Sequence, residues 1–187
     1  MIKWLYVTWV VNLSTMSFNT LCDSCKHSGC CTNSAMPLVF SHDFKDLESI
    51  GKIDDKFLKE ITVYGKKIKA IKKKNGSNNC VFWDEKKRQC SIYEKRPFDC
   101  RAYPFDIHLV DGKYHWIVYS CNVESDWNWT EEHLQLLEND KQFKEIMEKI
   151  EIFAGHTKMV LPQESQKTPF TILRQVRYKN SDFKKVI

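Results

Sequence analysis

Apolar and polar residues alternate along the stretch "IHLVDGKYHWIVYS", and this alternation is typical of half-buried strands. The stretch surrounds Asp111-Gly112, a dipeptide that favours a two-residue turn. It predicts a β-hairpin that carries Cys121 back toward Cys100. "MPLVFS" predicts a short strand, and "TPFTILRQVRY" near the end of the chain predicts another.

Apolar residues recur at helical spacing in other segments. Ser41 to Ile50 predicts a short helix that Gly51 ends. From Thr130 as N-cap, "TEEHLQLLENDKQFKEIMEKIEIF" predicts helix with a break at Asn139-Asp140. Its apolar positions are expected in the core: Leu134, Leu137, Phe143, Ile146, Met147 and Ile150.

The segment from Asp54 to Lys74 predicts a longer helix. Asp54 is a candidate N-cap, and the apolar positions follow helical spacing at Phe57, Ile61, Tyr64, Ile68 and Ile71. Lysines gather at its end, where they complement the helix dipole: Lys66, Lys67, Lys69, Lys72, Lys73 and Lys74. No aromatic or arginine pattern accompanies them, so we interpret them as a solvated face and do not expect a nucleic-acid partner.

Length and composition indicate one compact domain. The chain has 187 residues, of which 42% are hydrophobic, and a net charge of +5. This is enough for one core of ordinary size. We predict a small α+β domain organised around a cysteine-rich metal site, with residues 1–19 as an extension or strand, 20–123 as the metal-binding domain and 124–187 packed on the same domain.

The N-terminal apolar run does not predict a membrane span. It extends only from Trp4 to Val11, well short of the roughly 20 residues that a span requires. No small-residue cleavage site follows it, and Met16 is a second candidate start. We therefore expect a cytoplasmic protein, whose first fifteen residues are either an upstream extension or a buried strand.

The chain has eight cysteines in two sets. Four lie close together, at Cys22, Cys25, Cys30 and Cys31, and four are spread out, at Cys80, Cys90, Cys100 and Cys121. Without an export signal, thiols in this number indicate metal ligands more than disulfides. The spacing of Cys22 and Cys25 allows both sulfurs to bind one ion, and Gly29 permits a turn before Cys30.

Charged neighbours of Cys100 are candidate cofactor-binding residues. The guanidinium groups of Arg96 and Arg101 could donate to anionic sulfurs, although Arg96 could equally pair with Asp99 or Glu94 at the surface. His27 lies in the cysteine loop, where we interpret it as an exposed histidine.

The order of these motifs resembles a known family. A C-x2-C, a CC pair, "CVFW" and "CSIYEKRPFDCRAYP" together resemble the YkgJ-type cysteine-cluster family of zinc- or iron-chelating domains, over roughly residues 20 to 123. The loop between Cys25 and Cys30 is longer than is usual in the family, so the choice of Cys30 or Cys31 as primary ligand stays open.

The resemblance implies a metal-binding domain with an iron-sulfur cluster, such as 4Fe-4S, or zinc as its cofactor. Some relatives are flagellin lysine N-methylases, so methylation of a protein lysine is implied by analogy alone. The alternative is a structural zinc module that binds a protein or nucleic-acid partner. Tyr93, Tyr103 and His108 are the candidates for proton transfer, and we expect the two cysteine sets to share one site.

Overall fold

A computed structural model describes residues 29–32, 36–119, 130–160 and 170–178, with the side chains of 29, 30 and 157–160 excepted. The chain forms a small α+β domain, as the sequence predicts. Its elements are α1 (Gly29–Thr32), β1 (Leu38–Val39), α2 (Ser41–Glu48), β2 (Leu58–Val63), β3 (Lys66–Ile71), β4 (Trp83–Asp84), β5 (Gln89–Cys90), a 3-10 turn (Tyr93–Lys95), α3 (Phe98–Ala102), β6 (Phe105–Val110), β7 (Lys113–Tyr119), α4 (Thr130–Glu138), α5 (Phe143–Glu148), α6 (Ile150–Val160) and β8 (Phe170–Gln175).

The prediction of a long helix from Asp54 to Lys74 is wrong, because this segment is the β2–β3 hairpin. Its two strands pair antiparallel from Leu58 opposite Ile71 to Val63 opposite Lys66, and β1 adds to the other side of β3. Asp54 does not cap a helix; its carboxylate accepts the backbone N–H of Lys56 at 2.9 Å in a local turn.

The hairpin forms because its turn residues both adopt positive φ. Tyr64 has φ 47° and Gly65 has φ 77°, which is the conformation of a two-residue type I′ turn. The strands also contain the β-branched residues Ile61, Val63 and Ile68, which favour a pleated surface over a helix. The lysines of β3 therefore lie on a strand and gain nothing from a helix dipole.

The predicted hairpin around Asp111-Gly112 is confirmed as β6 and β7. Asp111 and Gly112 have φ 49° and 74°, and Val110 lies opposite Lys113. β8 pairs antiparallel with β7, which confirms the strand predicted near the end of the chain and completes a three-stranded sheet.

The C-terminal helices confirm the predicted break. α4 ends at Glu138 and α5 begins at Phe143, so the interruption includes Asn139 and Asp140. Glu138 then ties this helix to the sheet, since its carboxylate accepts the indole N–H of Trp116 at 2.9 Å and is held in a double contact by Arg174. The helix predicted from Ser41 is also confirmed, and Gly51 follows it with φ 66°.

Two hydrophobic clusters fill the interior. The main core joins the β6–β7 sheet to the C-terminal helices, and the rings of Trp116 and Phe143 stack in it with centroids 6.0 Å apart. Full burial of one such side chain stabilises the fold by roughly 2–3 kcal/mol. The second cluster, which we call the thiol-side core, comprises Val39, Leu47, Leu58, Ile71, Cys80, Phe82 and Ile92.

Within the described ranges, no helix is both long and apolar enough to cross a membrane.

Candidate metal centre

Four cysteines from both sets meet at the thiol-side core. Cys80 is a buried member of it, with 5% of its surface exposed. Cys31, Cys90 and Cys100 are half-buried and pack against the same cluster. One cysteine of the N-terminal set thus borders the same hydrophobic cluster as three of the scattered set, although 49 to 69 positions separate Cys31 from them along the chain.

Short backbone contacts place these cysteines. The backbone N–H of Cys80 donates to the carbonyl of Cys31 at 2.7 Å, which fastens α1 to the segment after β3. Cys90 ends β5 and lies opposite Trp83 on β4. Cys100 lies in α3, so each thiol comes from a different element.

The helix that carries Cys100 is held by two carboxylates. Asp43, with 1% of its surface exposed, accepts the backbone N–H of Phe98 on one oxygen and that of Phe40 on the other, both at 2.9 Å. Asp99 accepts the backbone N–H of Leu38 at 2.8 Å. The first contact joins α3 to α2, and the second joins it to β1.

Burial sets the protonation of both carboxyl groups. It raises the pKa of Asp43 to about 6, because desolvation outweighs the opposing hydrogen bonds from Phe40, Phe98 and Gln142. It raises the pKa of Asp99 to about 7, against the hydrogen bond from Leu38. Each carboxyl group therefore approaches neutrality more readily than an exposed one.

A lysine lies on the same side as Cys80. Lys73 and Cys80 form an isolated antiparallel bridge, and residues paired in this way project their side chains to the same face. The side-chain nitrogen of Lys73 is buried. This differs from the solvated position expected from the sequence. The turn signal Asn75-Gly76, with φ 68° at Gly76, lies between the paired residues and could have revealed the pairing.

The two candidate arginines have separate environments. Arg96 stacks its guanidinium 3.5 Å from the centroid of the Tyr93 ring and donates to the Tyr93 carbonyl at 2.8 Å. Arg101 forms an ion pair with Asp140 at 2.6 Å and donates to the Arg96 carbonyl at 3.3 Å. Arg101 thereby links the Cys100 helix to the turn between α4 and α5.

The candidates for proton transfer do not converge on one point. Tyr93 lies under Arg96, and Tyr103 precedes Pro104 in a cis peptide bond. His108 lies on β6, with its Nε2 atom 3.3 Å from the Tyr119 hydroxyl. On α4, burial lowers the pKa of His133 to about 4, so this histidine is neutral at physiological pH.

Part of the predicted ligand set lies outside the described residues: Cys22, Cys25, Cys121 and the side chain of Cys30. His27, which we expect to be exposed, also lies outside them. Taken by themselves, the described side chains include no group of three His, Cys, Asp or Glu residues placed to hold a metal ion. The donors that are described fit zinc or iron by their chemistry, because thiolates bind both and because four thiols pack against one cluster.

Comparison with known proteins identifies the cysteine region. A family model named CxxCxxCC, whose description reads "putative zinc- or iron-chelating domain", matches residues 21–122. An uncharacterized protein of Methanocaldococcus jannaschii is 28% identical over 97 residues, which are 51% of this chain and 51% of that protein. The matched region thus spans about half the length of this curated relative. No solved structure matches the chain.

Proposed function

Since this chain belongs to the CxxCxxCC family of zinc- or iron-chelating domains, we propose that its thiolates hold an iron-sulfur cluster at a site shared by both cysteine sets. The ligands would come from Cys22, Cys25, Cys30 and Cys31 and from Cys80, Cys90, Cys100 and Cys121. The preference for iron over zinc rests on the resemblance to cluster-bearing relatives.

The packing of Cys31, Cys90 and Cys100 against the cluster that contains Cys80 is the observation that carries the proposal. Two self-contained sites would not require α1 to dock against the scattered set. The 2.7 Å contact between the Cys80 N–H and the Cys31 carbonyl fixes this docking through the backbone, so it does not depend on a flexible side chain.

The end of β7 lies close to the segment that follows the Cys100 helix. β7 ends at Tyr119, whose backbone N–H donates to the Pro104 carbonyl at 3.0 Å, four positions from Cys100. This contact supports the inclusion of Cys121, two positions further along the chain, among the proposed ligands.

The bound cluster would supply electron transfer or an open iron for catalysis, while the protein supplies compensation for negative charge. The buried side-chain nitrogen of Lys73 lies on the Cys80 side and is one candidate for this role. Arg96 and Arg101, four positions and one position from Cys100 along the chain, are the other candidates. Such a site requires reduced thiols, so we place the protein in the cytoplasm.

Anaerobic purification followed by metal and acid-labile sulfide analysis tests the proposal. A brown protein that contains iron and sulfide is expected. A colourless protein with zinc and no sulfide would overturn the iron-sulfur assignment and favour a structural zinc module, for which the exposed Lys66, Lys67 and Lys69 of β3 offer a partner surface.

A further inference from the structure

Three polar side chains that are not thiolate ligands converge on the β6–β7 hairpin. The Tyr119 hydroxyl donates to Oδ2 of Asp106 at 3.0 Å. Nε2 of His108 lies 3.3 Å from the Tyr119 oxygen and 3.5 Å from the same Asp106 oxygen. The three atoms therefore form a compact triangle of one carboxylate, one imidazole and one phenol, which we call the hairpin triad.

Strand register explains the convergence. Asp106 and His108 alternate along β6 and so point to one face, and Asp106 lies opposite Ile117 on β7. Tyr119, two positions beyond Ile117, points to the same face. Because strands hold these positions, the triad is set by backbone pairing.

The triad is shielded from water. The side chains of His108 and Asp106 are 13% and 9% exposed. The ring of Phe170, on the neighbouring end of β8, lies edge-on to the His108 ring with centroids 5.1 Å apart. The other Asp106 oxygen accepts the backbone N–H of Ile107 at 2.7 Å, which fixes the carboxylate. A shielded site strengthens any bond that its oxygens and nitrogen make to a cation.

The spacing of the three atoms matches one face of a metal coordination sphere. Ligand bonds to a first-row metal are about 2.1 Å long, so adjacent donor atoms lie about 3.0 Å apart at octahedral angles and about 3.4 Å apart at tetrahedral angles. The separations of 3.0, 3.3 and 3.5 Å fall in this range. A cation could enter with little rearrangement of the ligands.

We propose that Asp106, His108 and Tyr119 bind a single metal ion, with ferric iron as the class of ion that suits them, through oxygen and nitrogen ligands instead of thiolates. Carboxylate, imidazole and phenolate are harder ligands than thiolate, so they select a different ion or oxidation state. On binding, the metal replaces the proton of the Tyr119 hydroxyl, which leaves to solvent. The phenolate and carboxylate then offset two of the three positive charges.

Addition of ferric citrate to the protein as isolated tests this site. Resonance Raman spectra, excited in the visible band that iron-bound phenolate produces, should show tyrosinate ring modes, which neither an iron-sulfur cluster nor zinc can give. Tyr119→Phe should abolish these modes. The matched control is Tyr114→Phe, since Tyr114 lies on the same strand at a position that faces the opposite side.

A second variant keeps the test decisive. His108→Gln should weaken ferric binding about tenfold or more while leaving the metal and sulfide content of the thiolate site unchanged. The proposal is overturned if the wild-type protein shows no tyrosinate modes or if Tyr119→Phe retains them. Should Tyr119→Phe fail to fold, unchanged ferric affinity in His108→Gln overturns it instead.

Discussion

At the scale of single residues, Asp43 does the most to position the Cys100 helix. Its two oxygens accept backbone N–H groups from Phe40 and Phe98, which belong to different elements, and it is almost fully buried. Nothing in the local sequence identifies this residue, because an aspartate in the first turn of a helix is ordinarily a surface cap. Only tertiary packing brings Phe98 to Asp43, so that this carboxylate also connects two helices.

We expect Asp43→Asn to lower the free energy of unfolding by about 1–3 kcal/mol at pH 7. The amide retains one acceptor, and its NH2 group faces a buried backbone N–H that then has no partner. Chemical denaturation measures the change. Glu48→Gln, an exposed carboxylate on the same helix, is the control and should change stability by less than about 0.5 kcal/mol.

The same pair of proteins should differ in pH dependence. The pKa of Asp43 is about 6 in the folded chain and 3.8 in the unfolded chain, so folding takes up a proton between these values and stability falls as the pH rises through them. The stability difference between wild type and Asp43→Asn should therefore grow by about 1 kcal/mol as the pH is lowered from about 7 to about 5. A difference that shrinks on acidification would indicate a lowered pKa and contradict this account.

Lys73 provides a second test at this scale. Lys73→Met keeps the length and apolar stem of the side chain but removes a buried nitrogen on the Cys80 side. We expect metal affinity to fall about tenfold, as measured by competition with a chelator. Lys74→Met is the control, because the Lys74 nitrogen pairs with Glu85. Equal changes in metal affinity for the two substitutions would show that Lys73 has no specific role at the metal centre.

At the scale of elements, the two hairpins show what the sequence can and cannot predict. Both have two-residue turns with positive φ, but Asp111-Gly112 is predicted while Tyr64-Gly65 is not. Aspartate tolerates positive φ through its short polar side chain, whereas tyrosine has no such local contact. Apolar residues spaced three and four apart then favour a helix, and the pairing of β2 with β3 and of β3 with β1 overrides that local preference.

The Arg101–Asp140 ion pair joins the Cys100 helix to the C-terminal helices, and both side chains are partly buried. A double-mutant cycle with Arg101→Ala and Asp140→Ala should give a coupling of about 1 kcal/mol, with metal content unchanged. Arg101→Lys should restore only part of the stability that Arg101→Ala loses. A lysine ammonium can pair with Asp140, but it cannot at the same time donate to the Arg96 carbonyl as the planar guanidinium does. The control is the exposed pair Lys144–Glu148, at 3.9 Å, whose coupling energy should be less than about 0.5 kcal/mol. An equally small coupling energy for Arg101–Asp140 would show that this pair contributes no more than an ordinary surface ion pair.

At the scale of the whole molecule, the metal centre is expected to act as part of the fold. The α+β class could be predicted from the sequence, while the ligand role of the thiols stays a prediction from their number and spacing. The sequence predicts that the two cysteine sets share a site, but it does not show how Cys31 comes to border the same cluster as Cys90 and Cys100. Two residues of that cluster, Leu58 and Ile71, belong to a hairpin that the sequence pattern misrepresents. The hairpin triad could not be predicted either, since Asp106 and Tyr119 become neighbours only through strand register.

A shared site makes metal binding and folding inseparable. Ligands on α1 and on elements up to 69 positions away close a long loop when they bind one metal centre. Removal of the metal should therefore loosen the segment around Cys31 from the thiol-side core, and limited proteolysis should cut there first.

The metal content of Cys100→Ser tests the central claim most directly. Serine keeps the shape of the side chain but loses the thiolate, so a shared site should lose the metal that the N-terminal cysteines also hold. We predict that the variant, purified anaerobically beside wild type, retains little or no metal per chain. Retention of half the wild-type metal, with the segment around Cys31 still protected from protease, would show two independent sites and contradict the account.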